Sequence, residues 1–486
     1  TNFLEPPPRL VNPSKTSKTN AGWSPGCIAI KSHFVVLPSM ELRWMSKYYM
    51  DSNPIHTGPF ENLIILVRAD PIICGHSTEA RNLAEAAVRN GIERVHLVTY
   101  PISTLQDSGL PLKPLTALPP YSKGIEVDRP VPIGDYKILD GRLGYAISGR
   151  IVDLIRRFDG PTMVMNLYIV PHGLMVMNAV RTLGFNPSLP RVATVAEAVG
   201  SDITHVINHA LQTEAFGTGS LVLSNFLEHD LPLAVSEYTL QLIVDAGARL
   251  DEAVGTQFEH QLRERVKVSY PAIDTSIYLN VEKQQRRLEE TLAARGLSRD
   301  GYILFLSRLA RAKGVDDLIL AYRASRSYGE KQLVICGDGP DSSRLQELAA
   351  GDPKIRFFRD VGDDEKTFLM HGCAMFCLPS KPRPEFTETF GIAVAEKMLA
   401  GGLGPVITTH TGGIPEATGD RCLYHEPGDV SDLTRAINEA VAMSLKQRQQ
   451  LSEAAREYAM RFDRQQVLSN VFHMLGSNPA PKVSVQ

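Results

Sequence analysis

Residues 302–336 read YILFLSRLARAKGVDDLILAYRASRSYGEKQLVIC, and the pattern of this stretch indicates the fold class. An apolar strand is followed by a basic loop, a helix and a second apolar strand. Strands that are apolar along their whole length are typical of parallel sheets covered by helices on both faces. The stretch therefore predicts a βαβ unit with strands over 302–306 and 332–336.

Similar units lie on both sides of this stretch. Downstream, the sequence predicts further apolar strands over 355–358, 374–378 and 406–408. Upstream, strands that alternate with helices are predicted over 63–67, 95–100, 162–168, 191–195 and 233–236. The charged, helix-favouring stretch 281–295 separates the two series. The pattern predicts two parallel α/β domains in tandem, with a ligand cleft at the carboxyl ends of both sheets.

Composition limits the classes of partner. The 51 lysines and arginines nearly balance the 54 aspartates and glutamates, so the net charge of −3 gives no bulk attraction to nucleic acid or anionic membrane. Residues 1–20 contain no apolar segment of the signal-peptide kind, and the apolar stretch 163–180 is interrupted by polar residues, proline and glycine. Six cysteines are too few for a disulfide framework. We therefore expect a cytoplasmic protein that binds no nucleic acid and has no stable membrane anchor.

Two of these cysteines have the spacing of half a metal site. Cys373 and Cys377 are separated by three residues, but the intervening segment and Leu378 are apolar. This setting favours a buried strand over a metal site. We expect no bound metal.

The segment Glu388–Glu396 has the features of a phosphate site. Gly391 follows a loop and opens a helix, so the backbone N–H groups from Phe390 to Ile392 should form a partly positive helix start. Glu388 and Glu396 flank that helix start, where their carboxylates can accept hydrogen bonds from sugar hydroxyls. Taken alone, the segment also fits a capped surface helix with two solvated glutamates.

Three further turns follow strands of the same predicted sheet. The loop Ser307–Gly314 carries Arg308 and Lys313, which can neutralise a diphosphate. The turn Gly337–Pro340 carries glycines that allow close backbone approach to a ligand, and the segment Gly412–Glu416 follows a later strand of the same sheet. Because the carboxyl ends of parallel strands share one edge, these turns should lie together.

Taken together, the four segments resemble the retaining GT-B glycosyltransferases of family 4, and the resemblance covers about residues 62–475. In the amino-terminal half, Gly75 lies at the family's first glycine loop and Val235–Thr239 matches its Val-Ser-Glu segment. Tyr270–Asp274 matches the inter-domain hinge. The resemblance implies two Rossmann-like domains that face each other across a cleft.

The resemblance also implies roles for residues. Arg308 and Lys313 would hold the diphosphate leaving group, Glu388 would contact the transferred sugar, and Glu396 would bind the ribose. The implied donor-binding residues are Gly75, Gly337, Asp338, Gly339, Val361, Glu388, Phe390, Gly391, Ile392 and Glu396. Such enzymes use no metal or other cofactor and retain the anomeric configuration, with the departing phosphate helping to deprotonate the acceptor.

The acceptor side departs from the family pattern. The histidine usual after one amino-terminal strand is absent, and that segment ends in Ala196 and Glu197. We expect Glu197 to take a catalytic role beside the acceptor, with His76 and His172 as further acceptor-binding residues. The alternatives are that Glu197 is a solvated glutamate at a helix start and that the histidines are structural or exposed.

The predicted domain organisation has four parts. Residues 1–61 form an amino-terminal extension with an added strand or hairpin over 28–50, and 62–280 form the acceptor-binding domain. Residues 281–462 form the nucleotide-sugar donor domain, and 463–486 form a helix that crosses back towards the amino-terminal domain, followed by a tail.

The resemblance therefore implies a retaining glycosyltransferase that moves a sugar from a UDP- or GDP-sugar to a small soluble acceptor, in antibiotic or other secondary metabolism. A small thiol is the sharper hypothesis for the acceptor, because a thiol loses its proton more easily than an alcohol. Hydroxyl groups of sugar phosphates or inositol phosphates, a nucleotide-sugar 2-epimerase and a non-catalytic nucleotide-sugar binding protein are the alternatives. The sequence leaves a homo-oligomer open.

Overall fold

A computed structural model describes residues 59–477, except for 73, 110–111, 116–117, 135–140, 185–190 and 385. The predicted extension up to residue 58, with the strand or hairpin over 28–50, and the tail 478–486 lie outside the described residues.

The amino-terminal half is built on a seven-stranded sheet in the order β3-β2-β1-β4-β5-β6-β7. Its strands pair in parallel throughout. The strands are β1 (Asn62–Leu66), β2 (Arg94–Val98), β3 (Ile125–Asp128), β4 (Thr162–Leu167), β5 (Val192–Ala198), β6 (Leu231–Ala234) and β7 (Lys267–Val268). β1 and β4 are buried along their whole length, as expected for a sheet covered on both faces.

The carboxyl-terminal half contains a six-stranded sheet in the order β10-β9-β8-β11-β12-β13, again parallel throughout. Its strands are β8 (Tyr302–Leu306), β9 (Gln332–Cys336), β10 (Ile355–Phe358), β11 (Met375–Leu378), β12 (Val406–Thr408) and β13 (Leu423–Tyr424). Cys373 and Cys377 are buried in this core, as the sequence predicts.

Helices cover both sheets. In the amino-terminal half they are α1 (Gly75–Arg89), α2 (Ile102–Asp107), α3 (Arg142–Ile155), α4 (His172–Leu183), α5 (Asn208–Gln212), α6 (Phe216–Leu227), α7 (Glu237–Val254) and α8 (Phe258–Arg265). The remaining helices are α9 (Thr275–Leu279), α10 (Gln285–Ala294), α11 (Val315–Ala324), α12 (Ser342–Ala349), α13 (Asp363–Gly372), α14 (Ile392–Ala400), α15 (Ile414–Thr418), α16 (Val430–Ala442), α17 (Leu445–Ala459) and α18 (Arg464–Ser477). Among the described residues, no helix combines the length and apolar character that crossing a membrane requires.

The strand order predicts where each half binds a ligand. The order reverses between β1 and β4 in the first sheet and between β8 and β11 in the second. Ligands of open parallel sheets bind outside the carboxyl ends of the strands at such a reversal. The loops after these four strands are therefore the places to look for a site.

Two chain crossings join the halves, and they are bonded to each other. Ile273 donates its N–H to the carbonyl of Phe462 at 2.9 Å, and Arg464 donates its N–H to the carbonyl of Ile273 at 2.9 Å. The Arg464 side chain pairs with Asp274 at 2.9 Å. The segment Tyr270–Asp274 is thus held against the start of α18.

Helix α18 crosses to the amino-terminal half and packs there. Val467, Leu468, Val471, Phe472 and Leu475 lie in the same apolar cluster as β1 and α1. The last helix of the chain therefore completes the core of the first half.

We expect Leu468→Ala to lower the free energy of unfolding by about 2–5 kcal/mol, because Leu468 is fully buried in that cluster and its loss leaves a cavity. Urea unfolding followed by circular dichroism measures the change. Gln466→Ala, at an exposed position of the same helix, is the control. Equal effects of the two substitutions would contradict the packing of α18.

Candidate active site

Glycines bring the loops of the carboxyl-terminal half into backbone contact. A Cβ atom on Gly337 would lie 2.1 Å from the carbonyl oxygen of Ser307, and one on Gly339 would lie 2.3 Å from that of Leu309. A Cβ on Gly314, whose φ is +67°, would lie 2.0 Å from the carbonyl oxygen of Pro379. No other residue fits at these contacts without moving the backbone. The loops after β8, β9 and β11 thus form one continuous shelf.

Lys313 and Glu388 form an ion pair on this shelf. The Lys313 ammonium donates a short hydrogen bond to Oε2 of Glu388, and both side chains are about nine-tenths buried. The Phe386 ring centroid lies 4.9 Å from the Lys313 Nζ and 6.0 Å from the Arg308 guanidinium. The structure therefore brings together three of the predicted residues, Arg308, Lys313 and Glu388.

The Glu388 loop is held by the segment Gly412–Glu416. Gly413 donates its N–H to the carbonyl of Glu388 at 2.9 Å. A Cβ on Gly412 would lie 1.9 Å from that same oxygen, and one on Gly413 would lie 2.0 Å from the carbonyl oxygen of Thr389. The two glycines thus fix the backbone of the residue that pairs with Lys313.

Helix α14 starts directly after this loop. Gly391 precedes its first residue with a φ of +97°, a value that only glycine adopts readily. The helix has no acidic residue in its first turn, so its free N–H groups keep their positive character. The predicted helix start at Gly391 is confirmed.

Glu396 in α14 is also paired with a lysine. Lys366 of α13 donates to Oε1 of Glu396 at 2.6 Å, and its ammonium lies 5.8 Å from the ring centroid of Tyr278. Burial and the neighbouring Glu396 carboxylate raise the pKa of Tyr278 well above its ordinary value. The solvated-glutamate alternative is therefore wrong for both carboxylates of the segment.

The two halves meet at the start of α14. A Cβ on Gly75 would lie 2.8 Å from Cδ1 of Ile392, so the starts of α1 and α14 are adjacent. The Ser236 hydroxyl donates to the carbonyl of Thr389 at 2.6 Å. Among the remaining predicted donor residues, the Asp338 carboxylate accepts from the N–H of Gly339 at 2.9 Å, and Val361 is partly buried against the core of the same half.

Glu416 bonds the two halves across the cleft. Its carboxylate accepts the backbone N–H groups of Glu237 at 2.7 Å and Tyr238 at 3.0 Å, at the start of α7. A carboxylate at a helix start is favourable because the first N–H groups have no partner within the helix. The glutamate of the Gly412–Glu416 segment therefore joins the halves.

Glu197 lies inside the amino-terminal half. It occupies β5, which continues to Ala198 rather than ending at residue 195, and its side chain is 1% exposed. The alternative of a solvated glutamate at a helix start is therefore wrong. Burial and the neighbouring carboxyls of Glu79 and Asp202 raise its pKa well above the ordinary value.

Glu79 connects Glu197 to His76. Its Oε2 lies 3.2 Å from Nδ1 of His76, and its Oε1 accepts the backbone N–H of Ala272 at 3.1 Å. Side-chain atoms of His76, Glu79 and Glu197 lie within 4.8 Å of one another. A proton held between the two carboxyls lowers the charge of this cluster without requiring an ion. His76 is the most accessible member, with 18% of its side chain exposed.

His172 is buried, with partners for both ring nitrogens. Its Nδ1 lies 2.8 Å from the carbonyl oxygen of Leu167, and its Nε2 lies 3.1 Å from the Tyr100 hydroxyl. Burial lowers its pKa to about 4, so the ring is neutral. His172 is therefore placed to orient Tyr100, and its role towards an acceptor stays a prediction.

The residues that sequence reasoning missed belong to other elements than the motifs. Lys366 stands in a helix rich in charged residues, where nothing in the sequence marks its partner. Glu79 and Asp202 become notable only through burial beside Glu197. The sequence marks the motif that contains Glu416, but the bond from Glu416 to the start of α7 forms only where the two halves meet.

Replacing Gly412 tests the contact with Glu388. We expect Gly412→Ala to lower the free energy of unfolding by about 2 kcal/mol or more, because the new methyl group collides with the Glu388 carbonyl. Gly428→Ala is the matched control, since Gly428 has a φ of +79° and nothing within 4 Å of the new Cβ. Chemical denaturation compares the two. Equal losses would show that backbone conformation alone, and not crowding, explains the effect.

Glu197→Gln tests the buried carboxyl. A raised folded pKa means that the folded protein keeps a proton that the unfolded chain has lost, so stability falls as pH rises through that window. The glutamine amide does not ionise, so the variant does not lose this stability. In wild type the free energy of unfolding falls by up to about 1.4 kcal/mol for each pH unit. We expect the melting temperature of the variant, relative to wild type, to rise between about pH 5 and about pH 8.

Thermal unfolding at the two pH values measures this difference. Glu330→Gln, at an exposed turn, is the control and should follow wild type. A difference between Glu197→Gln and wild type that stays constant with pH would contradict the protonated carboxyl.

Solved structures of similar shape establish the fold. HepE of Anabaena, solved with UDP and glucose, superposes with a TM-score of 0.59 at 17% identity, over 86% of this chain and 99% of that one. Sucrose-phosphate synthase from Thermosynechococcus elongatus superposes with a TM-score of 0.57 at 18% identity, over 85% and 98%. Likeness at these identities concerns the fold. The chain has the GT-B fold, two Rossmann-like halves that face each other.

Sequence comparisons match part of the chain to a known family and to known relatives. Residues 289–458 match the family model for glycosyl transferases group 1. The chain is 30% identical over 155 residues to the 2-deoxystreptamine N-acetyl-D-glucosaminyltransferase of Niallia circulans, covering 30% of this chain and 38% of the relative. It is 25% identical over 264 residues to the N-acetyl-alpha-D-glucosaminyl L-malate synthase of Bacillus anthracis, covering 50% and 65%. The chain thus spans less than two thirds of either relative, and these matches support group 1 as the family of the carboxyl-terminal half.

Proposed function

We propose that the protein is a glycosyltransferase that takes a sugar from a nucleoside diphosphate sugar and transfers it to a small acceptor. The observation that carries the proposal is the grouping of Arg308, Lys313 and Glu388 beside the start of α14. Two cations and a row of free N–H groups suit a diphosphate, and the adjacent carboxylate suits sugar hydroxyls. The group 1 family match over 289–458 supports the same reading.

The chemical step requires charge stabilisation on the leaving group. As the bond from the sugar C1 to the phosphate oxygen breaks, negative charge develops on the diphosphate. Arg308, Lys313 and the N–H groups at the start of α14 would stabilise that charge. Lys313 pairs with Glu388 in the structure, so a bound diphosphate would share the ammonium with that carboxylate. Glu388 would then contact the transferred sugar.

Glu396 would bind the ribose of the nucleotide. Its Oε1 is bonded to Lys366, which fixes the carboxylate, and a carboxylate in this position would accept hydrogen bonds from the ribose hydroxyl groups. The turn Gly337–Gly339 lies on the same shelf and would approach the donor with its backbone. The base would lie near Val361.

We propose that transfer retains the anomeric configuration and requires no metal, since the two cations supply the positive charge. In this path the acceptor proton leaves to the departing diphosphate, while the acceptor oxygen bonds to C1 on the face that the phosphate vacates. Proton NMR of the product reads the configuration. Activity that is lost in EDTA and restored by a divalent cation would refute metal independence.

The donor nucleotide and acceptor remain to be assigned by experiment. A panel of UDP, GDP and their sugars in a thermal-shift assay should identify the donor, because a ligand that binds the native state alone raises the melting temperature. Donor analysis without acceptor distinguishes the alternatives: a 2-epimerase converts the sugar, whereas a transferase hydrolyses it slowly. Binding of the donor with neither conversion nor hydrolysis would favour the non-catalytic alternative.

A small thiol stays a prediction for the acceptor. The two named relatives are an N-acetylglucosaminyltransferase for 2-deoxystreptamine and a glucosaminyl malate synthase, so neither name refers to a thiol. Parallel assays with thiol and with alcohol acceptors decide which class of acceptor the enzyme uses. Turnover of alcohols alone would refute the thiol hypothesis.

Lys313→Ala tests the leaving-group role. We expect a fall in turnover of roughly 100-fold or more, since a preorganised cation beside the developing charge is lost. Lys446→Ala, at an exposed position of α17, is the control and should keep wild-type turnover. Product formation is followed by mass spectrometry, and circular dichroism checks the fold. Retained activity in a folded Lys313→Ala variant would overturn the role of Lys313.

A further inference from the structure

The carboxyl edge of the first sheet carries an arginine with no carboxylate partner among the described residues. Arg68 follows β1 and is half-buried. Its guanidinium lies 4.5 Å from the ring centroid of Tyr168, the residue that follows β4. Residues after β1 and β4 flank the reversal of strand order, so Arg68 stands where this half should bind a ligand.

Neighbouring arginines are already committed to partners. Arg81 pairs with Asp70 at 2.8 Å, and Arg150 forms a short ion pair with Asp128. Arg129 donates to the carbonyl oxygens of Tyr100, at 2.8 Å, and of Asp70. Among the described residues, Arg68 differs from these three because it contacts the ring of an aromatic residue, Tyr168, and guanidinium N–H groups therefore remain for a ligand.

The charge that a ligand would meet at this edge is positive. Glu79 and Glu197 are each 1% exposed and Asp202 is 4% exposed, so these carboxyls face the interior. Asp202 also accepts the backbone N–H groups of Ile169 at 2.7 Å and Gly200 at 3.1 Å. Arg68 is half-buried and is therefore more accessible than these carboxyls.

Other groups around Arg68 suit an anion as well. Helix α1 starts at Gly75 with no acidic residue in its first turn, and its N-cap Cys74 is close enough to interact with the Arg68 charge. The Tyr100 hydroxyl also lies within the field of Arg68. Tyr168 holds a φ of +87°, an uncommon value for a residue other than glycine, and this conformation presents its ring to Arg68.

We propose that Arg68 binds a carboxylate or phosphate group of the acceptor, so that the acceptor is a small anion. The inference rests on the proposed function, because the helix start beside Arg68 adjoins the start of α14, where the donor diphosphate would bind. It separates the candidates that the named relatives suggest: malate carries carboxylates, whereas 2-deoxystreptamine carries amino groups that are protonated at neutral pH. An arginine and a helix start favour the first kind of ligand and repel the second.

The test measures anion binding with the donor site filled. Full-length protein is saturated with the nucleoside diphosphate that it binds and is then titrated with L-malate and with D-glucose 6-phosphate by calorimetry. D-glucose and 2-deoxystreptamine are the neutral and cationic comparisons. Binding of either anion supports the proposal, and the stronger of the two identifies carboxylate or phosphate as the favoured group.

Arg68→Met removes the charge while keeping most of the side-chain stem. We expect it to weaken binding of the preferred anion by roughly tenfold or more, and to change the affinity for the nucleoside diphosphate by much less. Arg94→Met is the matched control, because Arg94 also lies over an aromatic ring, that of Phe158 at 5.7 Å, but at the amino end of β2. A Lys replacement at position 68 should recover part of the affinity.

Several outcomes would overturn the inference. These are an Arg68→Met variant that binds the anions as wild type does, a wild-type protein that binds neither anion at about 10 mM, and binding of 2-deoxystreptamine in place of the anions. Failure of the proposed function looks different, because then no nucleoside diphosphate binds and the first step of the titration already fails.

Discussion

The backbone contact between the segment Gly412–Glu416 and the Glu388 loop is the constraint on which the candidate site depends. A Cβ atom added to Gly412 would lie 1.9 Å from the carbonyl oxygen of Glu388, so only glycine fits there without displacing that carbonyl. This contact fixes Glu388 opposite Lys313, and it leads directly into α14. The same segment ends in Glu416, which bonds to the start of α7. This one short segment therefore sets both the geometry of the shelf formed by the loops after β8, β9 and β11 and the alignment of that shelf with the amino-terminal half.

The two sides of the candidate site differ in the charges of their side chains. On the side formed by the carboxyl-terminal half, the carboxylates of Glu388 and Glu396 are each paired with a lysine, so the negative and positive charges of these pairs cancel. On the other side, the carboxyls of Glu79, Glu197 and Asp202 are buried away from the cleft, and Arg68 remains without a carboxylate partner among the described residues. The proposed nucleoside diphosphate sugar suits the first arrangement, and the proposed anionic acceptor suits the second.

The fold and the donor side were predictable from sequence for a physical reason. Buried parallel strands must be apolar along their length, and the strands over 302–306, 332–336 and 355–358 agree with the structure to the residue. The short edge strands β3, β7 and β13 were not predicted, because partly exposed strands of two to four residues lack such a signal. The end of β5 was placed too early, because Glu197 interrupts the apolar pattern while remaining buried.

The two parallel α/β halves, the start of α14 at Gly391, and the grouping of Arg308, Lys313 and Glu388 follow from the sequence, because each depends on local pattern and on strand order. Packing in three dimensions was needed to show that Lys366 neutralises Glu396, that Glu416 joins the halves, that Glu197 is buried beside Glu79, and that Arg68 has no carboxylate partner within the described part of the chain. These features depend on side chains from elements far apart in the chain. Their burial and pairing arise when the elements pack, and no local pattern encodes them.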